Sequence, residues 1–144
     1  MATSVQVVID CADPARLAAF WSAALGYQPD EPPEGYATWQ AFLADRGVPE
    51  AEWNSANACH DPDGVGPRLF FQRVPEGKSV KNRLHLDLNV AGGRGTPADE
   101  RRRRMDAEAE RLVGLGATRL GYQEDWSGSC VNMADPEGNE FDLQ

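Results

Sequence analysis

The chain has 144 residues, the size of one ordinary domain and long enough to bury a core, so a two-domain enzyme is not expected. Its 14 Lys and Arg against 23 Asp and Glu leave a formal charge of −9, the wrong sign for a surface that tracks nucleic-acid phosphates. No apolar run approaches the ~20 residues of a membrane span and no charged-then-apolar leader opens the chain, so the expectation is a cytoplasmic protein whose partner is a small molecule.

In chain order, the β-branched run Gln6–Cys11 predicts a strand, and Asp13-Pro14 then predicts a capped helix start with proline in its first turn. Leu17, Phe20, Trp21, Ala24 and Leu25 recur at helical spacing, and Gly26 stands where a helix stops. Tyr36–Leu43 predicts a short strand, and the stretch 44–60 a short helix and a loop carrying Trp53. Asp61-Pro62-Asp63-Gly64 is a turn that delivers a strand over Arg68–Val74, with His60 in a loop role beside it. The polar stretch Pro75–Asn82 connects to a second series.

Leu84–Val90 alternates at period two, Thr96-Pro97 starts a helix, and Met105, Ala109, Leu112 and Val113 form its apolar stripe before Gly114 and Gly116. Strands over Ala117–Tyr122 and Ser127–Met133 follow, then the turn Asp135-Pro136-Glu137-Gly138-Asn139 and a last strand Glu140–Leu143. The pattern is βαβββ used twice, an α+β fold in one domain, with module one over about 1–76 and module two over about 83–144. The run Arg101–Arg104 lies inside the second helix, where Arg102–Asp106 and Arg104–Glu108 are spaced to pair across a turn, as on a solvated helix face. Cys11, Cys59 and Cys130 are odd in number and lack C-x-x-C spacing, so they read as reduced thiols.

Strand alternation locates the chemistry. Val5, Val7, Ile9 and Cys11 suit a helix-covered face, as do Leu84, Leu86, Leu88 and Val90. The opposite face carries Gln6, Val8 and Asp10 in one module, and His85, Asp87 and Asn89 in the other. Glu140, Asp142 and Gln144 share one side of the last strand, and Gln72 plays the matching part in module one. Such a face is costly to bury without partners and should be wet, ligand-filled or metal-filled. The repeat sets Asp10 and Asp87 at equivalent positions, where mutual repulsion would raise one pKa and make a general acid or base, assisted by Gln72. The alternative is that each carboxylate holds a loop amide or meets Arg68 or Arg83. Trp39, Trp53 and Trp126, with Asn89 and Asn132, are candidates to line a substrate pocket, and Cys130 lies near Asn132 on its strand.

The two βαβββ units, the D-P-x-G-N turn and the His that opens the second unit resemble the vicinal oxygen chelate superfamily of glyoxalases, dioxygenases and bleomycin-resistance proteins. Phe71–Leu88 is similar to its bacterial glyoxalase-like domain subgroup. The resemblance implies two modules forming a curled mixed-sheet cleft with helices outside, a divalent metal (Zn, Ni, Mn, Fe or Mg) and a homodimer. On this sequence the family's ligand positions fall on Gln6, His85 and Asp142. An imidazole, a carboxylate and an amide oxygen can hold a divalent ion with open positions, and such an ion polarises adjacent substrate oxygens. The function implied is a metal-dependent lyase, isomerase or dioxygenase-type enzyme of unassigned substrate. The alternative is a metal-free protein that binds an antibiotic-type molecule.

Overall fold

The computed structural model describes residues 1–144 and divides them into two units, Met1–Gly77 and Lys78–Gln144. The first runs β1 (Val7–Cys11), α1 (Pro14–Leu25), β2 (Gln28–Pro29), α2 (Trp39–Asp45), a 3-10 turn at Glu50–Glu52, β3 (Ala56–His60) and β4 (Leu69–Arg73). Its sheet has the order β1-β4-β3-β2, with β1 parallel to β4 and the other pairs antiparallel. Asp13 caps α1 by accepting from the Arg16 N–H at 3.2 Å and from Asn54 Nδ2 at 2.8 Å. Gly26 ends the helix at φ 70°, a conformation open to glycine at no steric cost. α1 packs on β3 and β4, burying Leu17, Phe20 and Trp21 with Cys59, Leu69 and Phe71. Each such large side chain contributes about 1.5–3 kcal/mol by leaving water.

The second unit runs β5 (Asp87–Leu88), α3 (Ala98–Leu115), β6 (Thr118–Asp125), β7 (Gly128–Ala134) and β8 (Glu140–Leu143). Its order is β5-β8-β7-β6, again with the first strand parallel to the last. Met105, Ala109 and Leu112 of α3 are buried, as are Val131, Met133, Phe141 and Leu143 of the sheet that α3 packs against. The α+β class and the doubled βαβββ topology therefore agree with the sequence pattern. No helix is long and apolar enough to cross a membrane, and no disulfide joins the three cysteines.

Four local expectations are corrected. Tyr36–Leu43 is not a strand, because Thr38 Oγ1 accepts from the Ala41 N–H at 3.1 Å and starts α2. The aromatic residues that favoured a strand instead meet edge to face, Trp39 and Phe42 one helical turn apart at 5.9 Å, and Tyr36, ahead of the helix, with Phe42 at 5.1 Å. The stretch 44–60 contains β3, with His60 its last residue. The strand expected over Leu84–Val90 shrinks to Asp87–Leu88, because only those residues pair with β8, and Leu84 is exposed. On α3, Arg102 pairs with Asp106 as expected, whereas Arg104 turns back to Glu100 at 2.7 Å and Glu108 takes Arg111 instead.

Candidate functional site: a histidine and two carboxylates in the second unit

The register of the second sheet sets its polar groups side by side. Parallel pairing puts Asp87 of β5 opposite Asp142 of β8, and antiparallel pairing puts Asn132 of β7 on the other flank of Asp142. His85, two residues before Asp87, falls on the same face. Its Nε2 lies 3.2 Å from Asp87 Oδ1 and 3.5 Å from Asp142 Oδ2. Asn132 Nδ2 donates to Asp142 Oδ1 at 2.8 Å, so one oxygen of that carboxylate is anchored while the other faces the imidazole. One candidate ligand atom from each of His85, Asp87 and Asp142 lies within 4.8 Å of the other two.

The donor chemistry fits a divalent cation. One imidazole nitrogen and two carboxylates form the nitrogen and oxygen set that suits Mn, Fe, Co, Ni or Zn, with positions left for water or substrate. The Asn132 bond is the kind of outer support that orients a ligating carboxylate. Asp142 is the less exposed carboxylate, at 21 % for its side chain against 41 % for Asp87 and for His85. The neighbouring Cys130 thiol is pushed up, first by burial and then by the charge of Asp142. Along the same face, Gln144 Nε2 donates to Asn89 Oδ1 at 3.2 Å.

The first unit treats the corresponding positions differently. Cys59 and Met133 each stand two residues before their Asp-Pro turn and pair with Leu69 and Phe141. Counted from there, Ala58 corresponds to Asn132 and Phe70 to Asp142; the β1–β4 and β5–β8 registers then match Val8 with Asp87 and Gln6 with His85. Asp10 corresponds to Asn89, and not to Asp87 as the repeat suggested. Gln6 Oε1 accepts from Arg68 Nη1 at 2.5 Å. Asp10 and Gln72 are opposite each other on β1 and β4, both exposed.

Arg68 joins a network that sequence reasoning missed. Its Nε and Nη2 donate to Asp30 Oδ2 at 2.8 and 2.6 Å, and Asp30 Oδ1 lies 2.9 Å from His60 Nδ1. Burial alone would raise the Asp30 carboxyl, but the bonds and charges of Arg68 and His60 outweigh it and hold the group below the usual carboxylate range. Trp39 and Trp53 line a cavity in this unit, whereas Trp126 sits on the β6–β7 turn, 98 % exposed.

The sequence profile of the glyoxalase-like domain matches residues 6–144. No curated protein matches the chain. Among solved structures, a mutant of the fosfomycin resistance protein FosX from Listeria monocytogenes, complexed with Mn(II) and 1S,2S-dihydroxypropylphosphonic acid, is similar with a TM-score of 0.64 at 12 % identity, covering 100 % of this chain and 92 % of that one. The bleomycin-binding protein of Streptomyces verticillus, complexed with copper(II)-bleomycin, gives 0.53 at 14 % identity, covering 100 % and 96 %. A glyoxalase/bleomycin resistance protein/dioxygenase family enzyme from Burkholderia phytofirmans gives 0.59 at 14 % identity, covering 96 % and 94 %. At such identities the likeness shows the fold, and the profile match shows the family. The chain belongs to the glyoxalase-like domain family.

Proposed function

We propose that His85, Asp87 and Asp142 hold a divalent metal and that the protein is a small-molecule enzyme of lyase, isomerase or dioxygenase type acting on a substrate with adjacent oxygens. The observation that carries this reading is the pair of carboxylates brought by β5 and β8 to one imidazole nitrogen, at 3.2 and 3.5 Å. The Mn(II) in the similar FosX structure supports it. The reading keeps two of the ligands that the family pattern implies, adds Asp87, and leaves out Gln6, whose Oε1 is held by Arg68. The metal, when bound, polarises a substrate oxygen and stabilises the negative charge that develops on it.

The remaining work falls to the chain itself. Asn132 fixes the rotamer of Asp142 from the flank. Asn89 and Gln144, bonded to each other along the face, present amide groups to a substrate arriving beside the centre. His85 and Asp87 are open to solvent, so the substrate enters by displacing water.

Elemental analysis after incubation with Mn²⁺, Ni²⁺, Zn²⁺ and Fe²⁺ tests the reading, with His85→Ala alongside. Retention of about one equivalent by the parent protein and none by the variant is expected, since two remaining ligands bind too weakly to keep the ion through washing. No retained metal in either protein overturns it in favour of a metal-free small-molecule binder.

A further inference from the structure

The first unit contains a cavity of about 490 Å³ that plays no part in the metal reading, and its volume is in the range of small-molecule sites. The sheet supplies one part of its lining through Ala58 and Phe70, and α2 with the loop after it supplies another through Trp39, Leu43 and Trp53. The hydrogen-bonding groups along this lining are unequally used. Trp39 Nε1 donates to the Asp30 carbonyl at 2.8 Å and Trp53 Nε1 to the Val48 carbonyl at 3.0 Å, so both indoles contribute only ring surface.

The acidic groups are engaged as well. Both carboxylate oxygens of Asp30 are bonded, one to His60 and one to Arg68. Glu52 Oε2 is taken by Arg73 at 3.0 Å and by the Ser55 hydroxyl at 3.1 Å. A cationic ligand would therefore have to share a carboxylate that already has a cationic partner. Donors, by contrast, remain. A guanidinium carries five N–H groups, and Arg68 spends three of them, two on Asp30 and one on Gln6. Those partners also hold it in place, with its Cζ 5.4 Å from the centroid of the Phe70 ring. A fixed guanidinium with unspent N–H groups beside aromatic surface is prepared for a planar acid.

We propose that this cavity binds a flat aromatic molecule carrying a carboxylate, its ring against Trp39, Trp53 and Phe70 and its acidic oxygens on the two unspent N–H groups of Arg68. The site is built from first-unit residues alone and does not depend on the metal centre.

The test is calorimetry and tryptophan fluorescence of the whole chain in EDTA, using 2-naphthoate and its uncharged counterpart 2-naphthamide as probes. Naphthoate should bind saturably at one site, quench tryptophan emission, and bind about tenfold more tightly than the amide, as a charge-assisted hydrogen bond allows. Arg68→Met should erase that preference. Leu43→Trp, which fills the cavity from α2 and leaves the Asp30–Arg68 pair intact, should weaken both probes by about tenfold or more through steric exclusion; it keeps the proposal testable if Arg68→Met does not fold. Absence of saturable naphthoate binding, equal affinity for the two probes, or indifference to Leu43→Trp overturns the proposal. So does binding that appears only when Mn²⁺ replaces EDTA, because the probe would then be reporting the metal centre.

Discussion

The two units share one topology and carry opposite chemistry on the corresponding sheet face. Where the second unit has His85, Asp87, Asn132 and Asp142, the first has Gln6, Val8, Ala58 and Phe70. Donor atoms converge in one unit, and in the other an alanine and a phenylalanine line a cavity. The βαβββ frame thus fixes which positions are neighbours, and the side chains at those positions decide what is held there.

The largest effects should be symmetric, because they test what the units share. Leu69 and Phe141 occupy corresponding buried positions, so Leu69→Ala should cost about 2–5 kcal/mol and Phe141→Ala about 3–5 kcal/mol in chemical denaturation. A core loss in only one unit would break the structural correspondence. The next effect should be one-sided. Asp142→Asn should weaken Mn²⁺ binding by about a hundredfold or more in calorimetry, since a ligand is lost, whereas Phe70→Asn at the matching position should leave it unchanged. Asn132→Ala removes only the support of Asp142 and should cost about tenfold. Gln6→Ala should leave metal affinity within about twofold, and a tenfold loss would return Gln6 to the ligand set.

The smallest effect concerns acid. Glu140, at the position matching Arg68, is held at about 2, chiefly by the Asn82 backbone N–H, with Lys78 also favouring its charged form. Its folded value lies below the ordinary 4.5, so the stabilisation is complete above pH 4.5 and is lost as pH falls toward 2. For a group so close to solvent this amounts to about 1 kcal/mol or less. Denaturation of Glu140→Gln between pH 6 and about 2.5 should show that part of the acid sensitivity removed. An unchanged pH dependence would mean that the pairing at Glu140 contributes nothing to folding.

Much of this contrast could be read before any coordinates. The Asp13-Pro14 cap, the Gly26 stop and the two Asp-Pro turns are local signals, and each sits where the backbone uses it. Alternation assigned His85, Asp87 and Asp142 to one face because a strand's period of two needs no tertiary information. It could not say that Asp87, taken as an acid or base, would stand with His85 and Asp142, since that follows from the pairing of β5 with β8. The α2 region was misread because aromatic residues favour strands in isolation; the Thr38 cap and the Trp39, Phe42, Leu43 spacing were the signals that could have corrected it. Asp30 had no signal at all. It lies 38 residues from Arg68, outside any periodic segment, and only the folded sheet brings them together.

The parallel pairing of first strand with last has a kinetic corollary. His85 and Asp87 precede α3 and Asp142 follows the final turn, so no partly folded chain lacking β8 can assemble the three candidate ligands. Contacts distant along the chain form late because closing the intervening loop is entropically costly. A metal bound there would therefore act after the folding barrier has been crossed, slowing unfolding far more than it speeds folding. Its departure would be an early event when the terminal strand peels away.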